Sequence, residues 1–478
     1  MNRQTSLLLC LVLAVPCAGI ANTNPGEWSR FRGPNGSGLS LAKNLPGSLN
    51  PDEDMLWRIP LAGGHSSPIL AADALFLTTA DDDGLHTLCI DPESGEVRWT
   101  QTAPRTREEA LDNRNNAAAP SPVADDELVV SFFSDYGLLA YNHEGEELWR
   151  HPLAAFDNIY GMGASPIMAD GLVLLACDQA TGSYLVALDK QTGKQRWRSE
   201  RPWAKSGHCT PILNSAVDGT NELILPGSFY LDGYRIKDGN RNWWAKGLCF
   251  EMKSVPVIWD GLILINGYGS PMNQPGNQVT ISSFEEALAN NDKDEDGLIS
   301  KAEMPASRAA NWFDFVDLSA DGSLDAADWK YLRDALASQN GMLAFRPGGE
   351  GELSAESLTW SYRRAVPQLP SPLIYENVLY MLNDNGGLLT TLSPKTGEVI
   401  ERGRLEDGVD SYYASPVAGD GKIYIVSEHG TALVLPAGGS LKPLYVHNFE
   451  ERVYATPALA EGRLYLRTEV ALYSFGSK

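Results

Sequence analysis

The sequence predicts an all-β fold: an eight-bladed β-propeller closed by an N-terminal strand, with a small α-helical pair inserted in blade five. Three observations predict it. A four-strand unit recurs along the chain, which is how a repeat architecture shows itself in sequence. The last copy runs out one strand short, and a strand-like segment waits at the N-terminal end. The fifth copy alone is stretched, by a segment whose acidic turns and apolar spacing belong to helices and loops.

The repeat is anchored by Pro68, Pro122, Pro166, Pro211, Pro256, Pro372, Pro416 and Pro457, at spacings of roughly 41–54 residues apart from the expanded copy. Each anchor follows a small residue and a Ser/Thr, except Pro256, which follows Val255, and opens an apolar strand. Proline is tolerated there because ladder pairing has barely begun. The third copy is the clearest. SPIMAD is a strand, Gly171 turns, and LVLLACD returns; YLVALD, the turn KQTG and KQRWRS complete four antiparallel strands, one propeller blade. The stretch Asp-x-x-Ser/Thr-Gly-x-x-x-Trp, at Asp91–Trp99 and Asp189–Trp197, reads as a hairpin turn followed by an outer-strand Trp. Such an indole can fill a large apolar gap between blades. Trp149, Trp243 and Trp360 stand in comparable places, and copies six and seven lack the Trp.

The eighth copy, TPALAEGRLYLRTEVALYSFG, has three strands, and MLWRIP (Met55–Pro60) with Trp57 supplies the fourth. Closing the ring in this way leaves no unpaired sheet edge between first and last blade. This pattern, clearest in ALDKQTGKQRW (Ala187–Trp197), resembles the pyrroloquinoline-quinone-like (PQQ-like) propeller repeat. That superfamily includes quinoprotein dehydrogenases and the propeller lipoprotein of the outer-membrane β-barrel assembly machinery. The resemblance covers nearly all of residues 55–476 outside the insertion, and it implies fold more than activity. WSRFRGPNGSG (Trp28–Gly38) is similar to the start of many exported bacterial members, and is expected to anchor an aromatic on the propeller surface.

The fifth copy spans 116 residues from Pro256 to Pro372, and residues 270–341 are assigned to an inserted unit. Within it DKDEDGLISKAE (Asp292–Glu303) fits a calcium-binding EF-hand loop at every ligand position. Asp292, Asp294 and Asp296 hold positions 1, 3 and 5, Gly297 turns, Leu298 offers its carbonyl, Ser300 acts through water, and Glu303 closes bidentately. Ile299 is placed for a β contact with a paired loop. The second loop, DLSADGSLDAAD (Asp317–Asp328), offers Asp317, Ser319, Asp321, the Ser323 carbonyl and Asp325, but ends in Asp328. Asp is one methylene shorter than Glu, so bidentate closure is harder and affinity falls or shifts toward magnesium. Ser282 with Glu285, or Ser283 with Glu286, starts a helix through about Ala289; Trp329, Leu332 and Leu336 stripe the last helix.

The remaining domains follow. Residues 1–21 read as a secretory signal, with Arg3 in the charged region, Leu7 to Val15 as the apolar core and Gly19-Ile20-Ala21 before the cut. Residues 22–54 are an N-terminal extension, 55–269 carry blades one to part of five, and 342–478 carry the rest. The expected location is periplasmic or extracellular, with no transmembrane segment. The formal net charge of −23 opposes binding to nucleic acid or anionic membranes. Thirteen of the acids lie in residues 285–334, which concentrates the charge on the insertion. Cys89, Cys177, Cys209 and Cys249 survive cleavage, show no zinc or CxxC spacing, and read as small buried strand residues.

Blade topology places the insertion and the residues ahead of each anchoring proline on one face. Three residues before the prolines stand His65, His208, Lys253, Tyr413 and Tyr454, alongside Ala119, Gly163 and Leu369. The polar members are candidates for a ligand funnel. Two residues before stand Ser66, Pro120, Ala164, Cys209, Ser254, Pro370, Ala414 and Ala455, all compact enough to pack near the axis. No nucleophile motif points to a hydrolase, and no catalytic residue is assigned. The expected function is an exported calcium-binding propeller acting as a binding or scaffold module, its partner a protein or a small polar ligand at that face. The alternative is a PQQ-dependent dehydrogenase acting on an alcohol or sugar. The resemblance argues against it, because that family's adjacent cysteine pair is absent.

Overall fold

The computed structural model describes residues 28–215, 221–270, 273–304 and 308–477. The predicted secretory signal lies outside the described residues. Among the described residues eight blades of four antiparallel strands follow one another, blade four carrying a fifth, parallel strand. Blade one runs Ile69–Ala71, Ala74–Asp81, Gly84–Ile90 and Val97–Ala103, and blade three runs Ile167–Ala169, Leu172–Cys177, Tyr184–Asp189 and Gln195–Glu200. The N-terminal strand Met55–Pro60 is the outer strand of blade eight, pairing antiparallel to Ala471–Phe475 with Arg58 opposite Tyr473 and Pro60 opposite Ala471. The two ends of the propeller are therefore held by one ladder.

The repeat's Trp has a defined seat. Trp149 donates its indole N–H to Lys190 O at 2.8 Å in the next blade's turn. Its ring covers Gly193, where a Cβ would come within 2.5 Å. Asp189 shapes that turn by accepting from the amide and hydroxyl of Thr192, and Gly193 takes φ +65°, which a side chain disfavours. The same seat joins Trp57 to Pro92 O, Trp99 to His143 O, Trp197 to Ile236 O and Trp360 to Pro394 O. Trp243 departs from it. It lies fully buried against Gly233 of its own blade, with Glu222 accepting from its indole. Blade five has no short Gly turn to receive it; a short parallel strand, Gly351–Glu352, instead covers the outer edge of blade four.

The hydroxyl ahead of each anchoring proline is equally explained. Ser67 N–H donates to Ser121 Oγ, Ser121 to Ser165, and Ser165 to Thr210. Farther round, Ser371 donates to Ser415, Ser415 to Thr456, and Thr456 back to Ser67. Seven of the eight inner-strand amides thus find a side-chain partner in the next blade, where a buried orphan would be costly. Blade five breaks the pattern. Val255 stands before its proline, so its amide donates to Ser371 Oγ but it offers no hydroxyl in return.

The N-terminal segment goes deeper than the surface anchoring expected of it. Trp28 is 1% exposed and Arg32 is fully buried. Trp28 bridges to Leu70 of blade one, Arg30 donates to Pro211 O of blade four, Arg32 to Pro372 O of blade six, and Leu39 bridges to Ala418 of blade seven. The segment crosses the ring at the inner-strand starts and ties together blades that do not touch. Guanidinium groups can do this because they reach several carbonyls at once. Among the described residues Cys89, Cys177, Cys209 and Cys249 are free and buried, and burial raises the Cys89 thiol to about 11 and the Cys249 thiol to about 12. No helix of the described residues is long and apolar enough to cross a membrane.

Candidate functional site

The insertion leaves blade five after the strand Leu262–Gly267 and returns at Gly341–Phe345, which pairs with it. It contains helices α1 (Phe284–Asn291), α2 (Phe313–Val316) and α3 (Ala326–Ala337). Of the two capping pairs read in the sequence, Ser283 and Glu286 form the box that starts α1. Asp325 and Asp328 form another at α3. Trp329 and Leu332 are buried, with Leu336 8% exposed, as the stripe predicts.

The two acidic loops have matching internal bonds. Asp292 accepts from Gly297 N–H at 3.0 Å, and Asp317 from Gly322 N–H at 2.8 Å. Glu303 accepts from the Lys293 amide at 2.7 Å and the Ser300 amide at 3.0 Å; Asp328 accepts from the Leu318 and Asp325 amides at 3.0 and 3.2 Å. Ile299 pairs with Leu324 and Ser300 with Ser323 in a two-residue antiparallel ladder. Each loop therefore closes on its own last carboxylate, and the ladder ties them back to back.

In the first loop, Asp292, Asp294 and Asp296 bring carboxylate oxygens within 4.8 Å of one another. Asp292 Oδ1 is buried and has no hydrogen-bond partner. An ordered water or a hard cation held by the three carboxylates can satisfy such an oxygen. Mutual repulsion adds to desolvation in raising the Asp294 carboxyl, whereas amide donors hold Glu303 down at about 2. Leu298 and Ser300 occupy the remaining predicted positions, with Ser300 Oγ donating to Glu303 at 2.7 Å. In the second loop Asp317, Ser319, Asp321 and Ser323 form the turn, Ser319 Oγ donating to Asp317 at 3.2 Å and Ser323 N–H to Asp321 at 2.9 Å. Asp325 Oδ1 is taken by the amides of Ala327 and Asp328 at the start of α3. Burial raises the Asp328 carboxyl.

The insertion is seated on the propeller by one apolar cluster. Phe313, Val316, Trp329, Tyr331 and Leu332 pack with Phe229 and Tyr230 of blade four and with Trp203 and Phe250. Phe315 meets Phe250 edge-on at 5.2 Å, Tyr331 donates to Trp203 O at 2.8 Å, and Tyr230 to Asp334 at 2.7 Å.

Phe250 precedes the axial residues of blade five. The predicted funnel residues form two groups. His65 stacks on Tyr454 at 4.1 Å, and Tyr454 meets Tyr413 at 5.1 Å, which joins blades one, eight and seven. Across from them, His208 meets Tyr160 at 6.3 Å, and Lys253 Nζ lies 6.0 Å from the same ring and 3.0 Å from Glu251. Arg114, paired with Asp112 at 2.6 Å, also acts electrostatically on Tyr413 and Tyr160. Burial, then Arg467, lowers His65 to about 4; burial, then Lys253, lowers His208 to about 3. Asp384 accepts from the Gln368 and Leu369 amides, and burial raises its carboxyl. The compact residues of the second set are all buried, as axial packing requires. Arg114, Tyr160, Glu251 and Asp384 were missed because they lie off the fixed position ahead of the prolines, on loops of unequal length. Their polar and aromatic types within Gly/Asn-rich connections were the only signal.

Comparison with known proteins agrees with this architecture. The family model described as outer membrane protein assembly factor BamB matches residues 47–202 and 89–248. No curated protein matches the chain in sequence. Among solved structures, BamB from Moraxella catarrhalis superposes with a TM-score of 0.54 at 12% identity, covering 88% of this chain and 99% of that one. A europium-containing methanol dehydrogenase gives 0.56 at 11% identity, covering 95% and 98%. The quinohemoprotein alcohol dehydrogenase ADHIIG from Pseudomonas putida HK5 gives 0.55 at 11% identity, covering 95% and 80%. At such identities the likeness concerns fold alone. In fold, then, this chain is an eight-bladed β-propeller, and its residues 47–248 match the BamB family model.

Proposed function

We propose that the protein is an exported, calcium-binding propeller that serves as a binding or scaffold module, with its metal in the inserted unit read as an EF-hand pair. The observation that carries the metal reading is the Asp292–Asp294–Asp296 cluster with its buried, unpartnered Asp292 oxygen. Calcium there would be held by those three carboxylates, the Leu298 carbonyl and Glu303, and would neutralise charges that otherwise repel. Its role is structural or mildly regulatory, since the pair is packed against blade four by its own core. Partner binding is assigned to the mouth lined by His65, His208, Lys253, Tyr413 and Tyr454. Likeness to a family described as an outer membrane protein assembly factor supports a protein partner there. Export rests on the signal-like residues 1–21.

Calcium titration calorimetry on the wild type, Glu303→Gln and Asp328→Ala tests the metal reading. Glu303→Gln is expected to abolish the tighter binding event and Asp328→Ala the weaker. Unchanged stoichiometry in both variants would sink the assignment. The second reading, a quinoprotein dehydrogenase, is favoured by the equal fold likeness to two alcohol-oxidising enzymes. PQQ would then bind in the axial funnel and accept the electrons of alcohol oxidation. Appearance of a quinone absorption band on adding PQQ and calcium, together with dye-linked alcohol oxidation, would replace the scaffold reading with this one.

A further inference from the structure

The N-terminal segment that crosses the ring carries two cations into it. Arg30 is 7% exposed and Arg32 is 0% exposed. The backbone that presents them is tightly wound. Gly33 N–H donates to Arg30 O at 2.9 Å and Gly38 N–H to Arg32 O at 2.8 Å, and Gly33 takes φ +66° under the ring of Trp28. Both guanidinium groups come to Gly36. Arg32 Nε donates to Gly36 O at 3.0 Å, and Arg30 Nη2 lies 3.7 Å from where a Gly36 Cβ would stand. Arg30 Nη2 then reaches Pro211 O of blade four, and Arg32 Nη2 reaches Pro372 O of blade six at 2.8 Å.

Among the described residues neither group makes an ion pair, and every acceptor they use is a carbonyl oxygen. Carbonyls satisfy hydrogen bonds without cancelling charge, and a buried cation with no counter-charge is costly. Burial lowers both groups to about 9, so both stay charged at neutral pH. Tying blades together does not call for charge. Asn35 of the same loop holds Leu213 of blade four with a neutral amide, donating to its carbonyl and accepting from its N–H, both at 2.8 Å. Asn266 of blade five reaches Pro367 O and Pro370 O in the same neutral way. Nor are the donors of the loop used up. Arg30 Nε, Arg32 Nη1 and Trp28 Nε1 are buried N–H groups without an acceptor. Uncancelled charge and unused donors are separate observations, and both ask for an anion.

We infer that the Trp28–Gly38 loop is the binding site of a small inorganic anion of the halide class, seated against the Arg30 and Arg32 guanidinium groups between the inner strands of blades four and six. Burial sets the size. A single monovalent ion fits beneath the wound loop, where a bulkier acid has no way in. Its role is to cancel charge at the place where the segment crosses the ring, which is independent of the metal reading of the insertion. Ordered water could satisfy the three free donors, but it brings no charge. The two occupants therefore differ in how the protein responds to the identity of the salt.

The test uses the full chain at neutral pH. Crystals grown in sodium bromide are expected to show an anomalous-scattering peak in contact with a guanidinium nitrogen of Arg30 or Arg32. Water alone at that place, or no peak there, overturns the inference. In solution, thermal melting followed by circular dichroism compares sodium chloride with sodium gluconate, whose anion is too large for the loop, at equal ionic strength. Chloride is expected to raise the wild-type midpoint by about 2 °C. Arg30→Gln and Arg32→Gln, which keep hydrogen-bond donors and remove the charge, are expected to lose that increment. Equal wild-type midpoints in the two salts, or an increment kept in full by both variants, overturn the inference. The bromide crystal and the wild-type salt comparison need no variant, so they decide the matter where a Gln variant fails to fold.

Discussion

Closure of the ring by Trp57 gives the sharpest stability prediction. Trp57→Ala removes an indole that is 9% exposed, packs over Gly95 of blade one and meets Tyr465 at 5.9 Å. It also removes a 3.0 Å hydrogen bond to Pro92 O. That carbonyl keeps two other donors, Arg463 at 3.0 Å and Tyr465 at 3.3 Å, so it is not left unsatisfied. The hydrogen-bond contribution therefore sits near the low end, about 0.5 kcal/mol. Packing dominates: truncating a buried Trp costs about 3–5 kcal/mol, the cavity between blades eight and one included. Trp57→Ala should thus lose about 3–4 kcal/mol, and Trp57→Phe about half of that. Urea denaturation followed by far-ultraviolet circular dichroism measures it, since eleven other tryptophans would blur fluorescence. The midpoint should fall with an unchanged slope. A loss below about 1 kcal/mol would refute the view that this seat holds the ring closed.

Three further outcomes are expected. Thr456→Val, at a position 3% exposed, orphans the Ser415 amide that now donates to its hydroxyl at 3.1 Å, and should cost about 1–3 kcal/mol in the same assay. Saturating calcium at about a hundred times its dissociation constant should stabilise the inserted unit by about 2.7 kcal/mol, read as a shift in its melting transition that chelator reverses and Glu303→Gln abolishes. His208 and His65 are held down at about 3 and 4 in the fold. The unfolded chain takes up protons near pH 6.5 while the native chain does not, so stability falls as pH drops from about 6.5 toward 4. Each histidine should account for about 1 kcal/mol of loss between pH 7 and 5.5, and the urea midpoints of His208→Gln and His65→Gln should show a flatter pH dependence.

Much of this molecule was legible because its repeat is a physical requirement written eight times. The Asp-x-x-Ser/Thr-Gly-x-x-x-Trp stretch is readable since the turn needs a Gly at positive φ and the neighbouring Trp needs that Gly bare. The Ser/Thr before seven of the eight prolines is readable for a similar reason, as each of these hydroxyls serves the amide of the adjoining blade. Loop ligands are local too: six of them fall within twelve residues, so spacing alone placed Asp292 to Glu303.

What sequence spacing could not decide was everything set by neighbours distant along the chain. The destination of Trp28, Arg30 and Arg32, crossing from blade one to blade six, depends on carbonyls up to 340 residues away. Trp243 kept its place in the repeat but lost its seat, because the next blade's turn had been remodelled. The pairing of His65 with Tyr454 exists only because the ring closes. Lys205 is an unremarked lysine in the sequence, and the fold brings its ammonium to 6.0 Å from the ring of Phe315, more than a hundred residues later. The sequence by itself determined the blade count, the closing strand and the acidic loops, all of which follow from short-range periodicity. Tertiary structure alone decided which charges and rings meet across blades, as His65 does with Tyr454, because that depends on how eight independently written blades are brought around one axis.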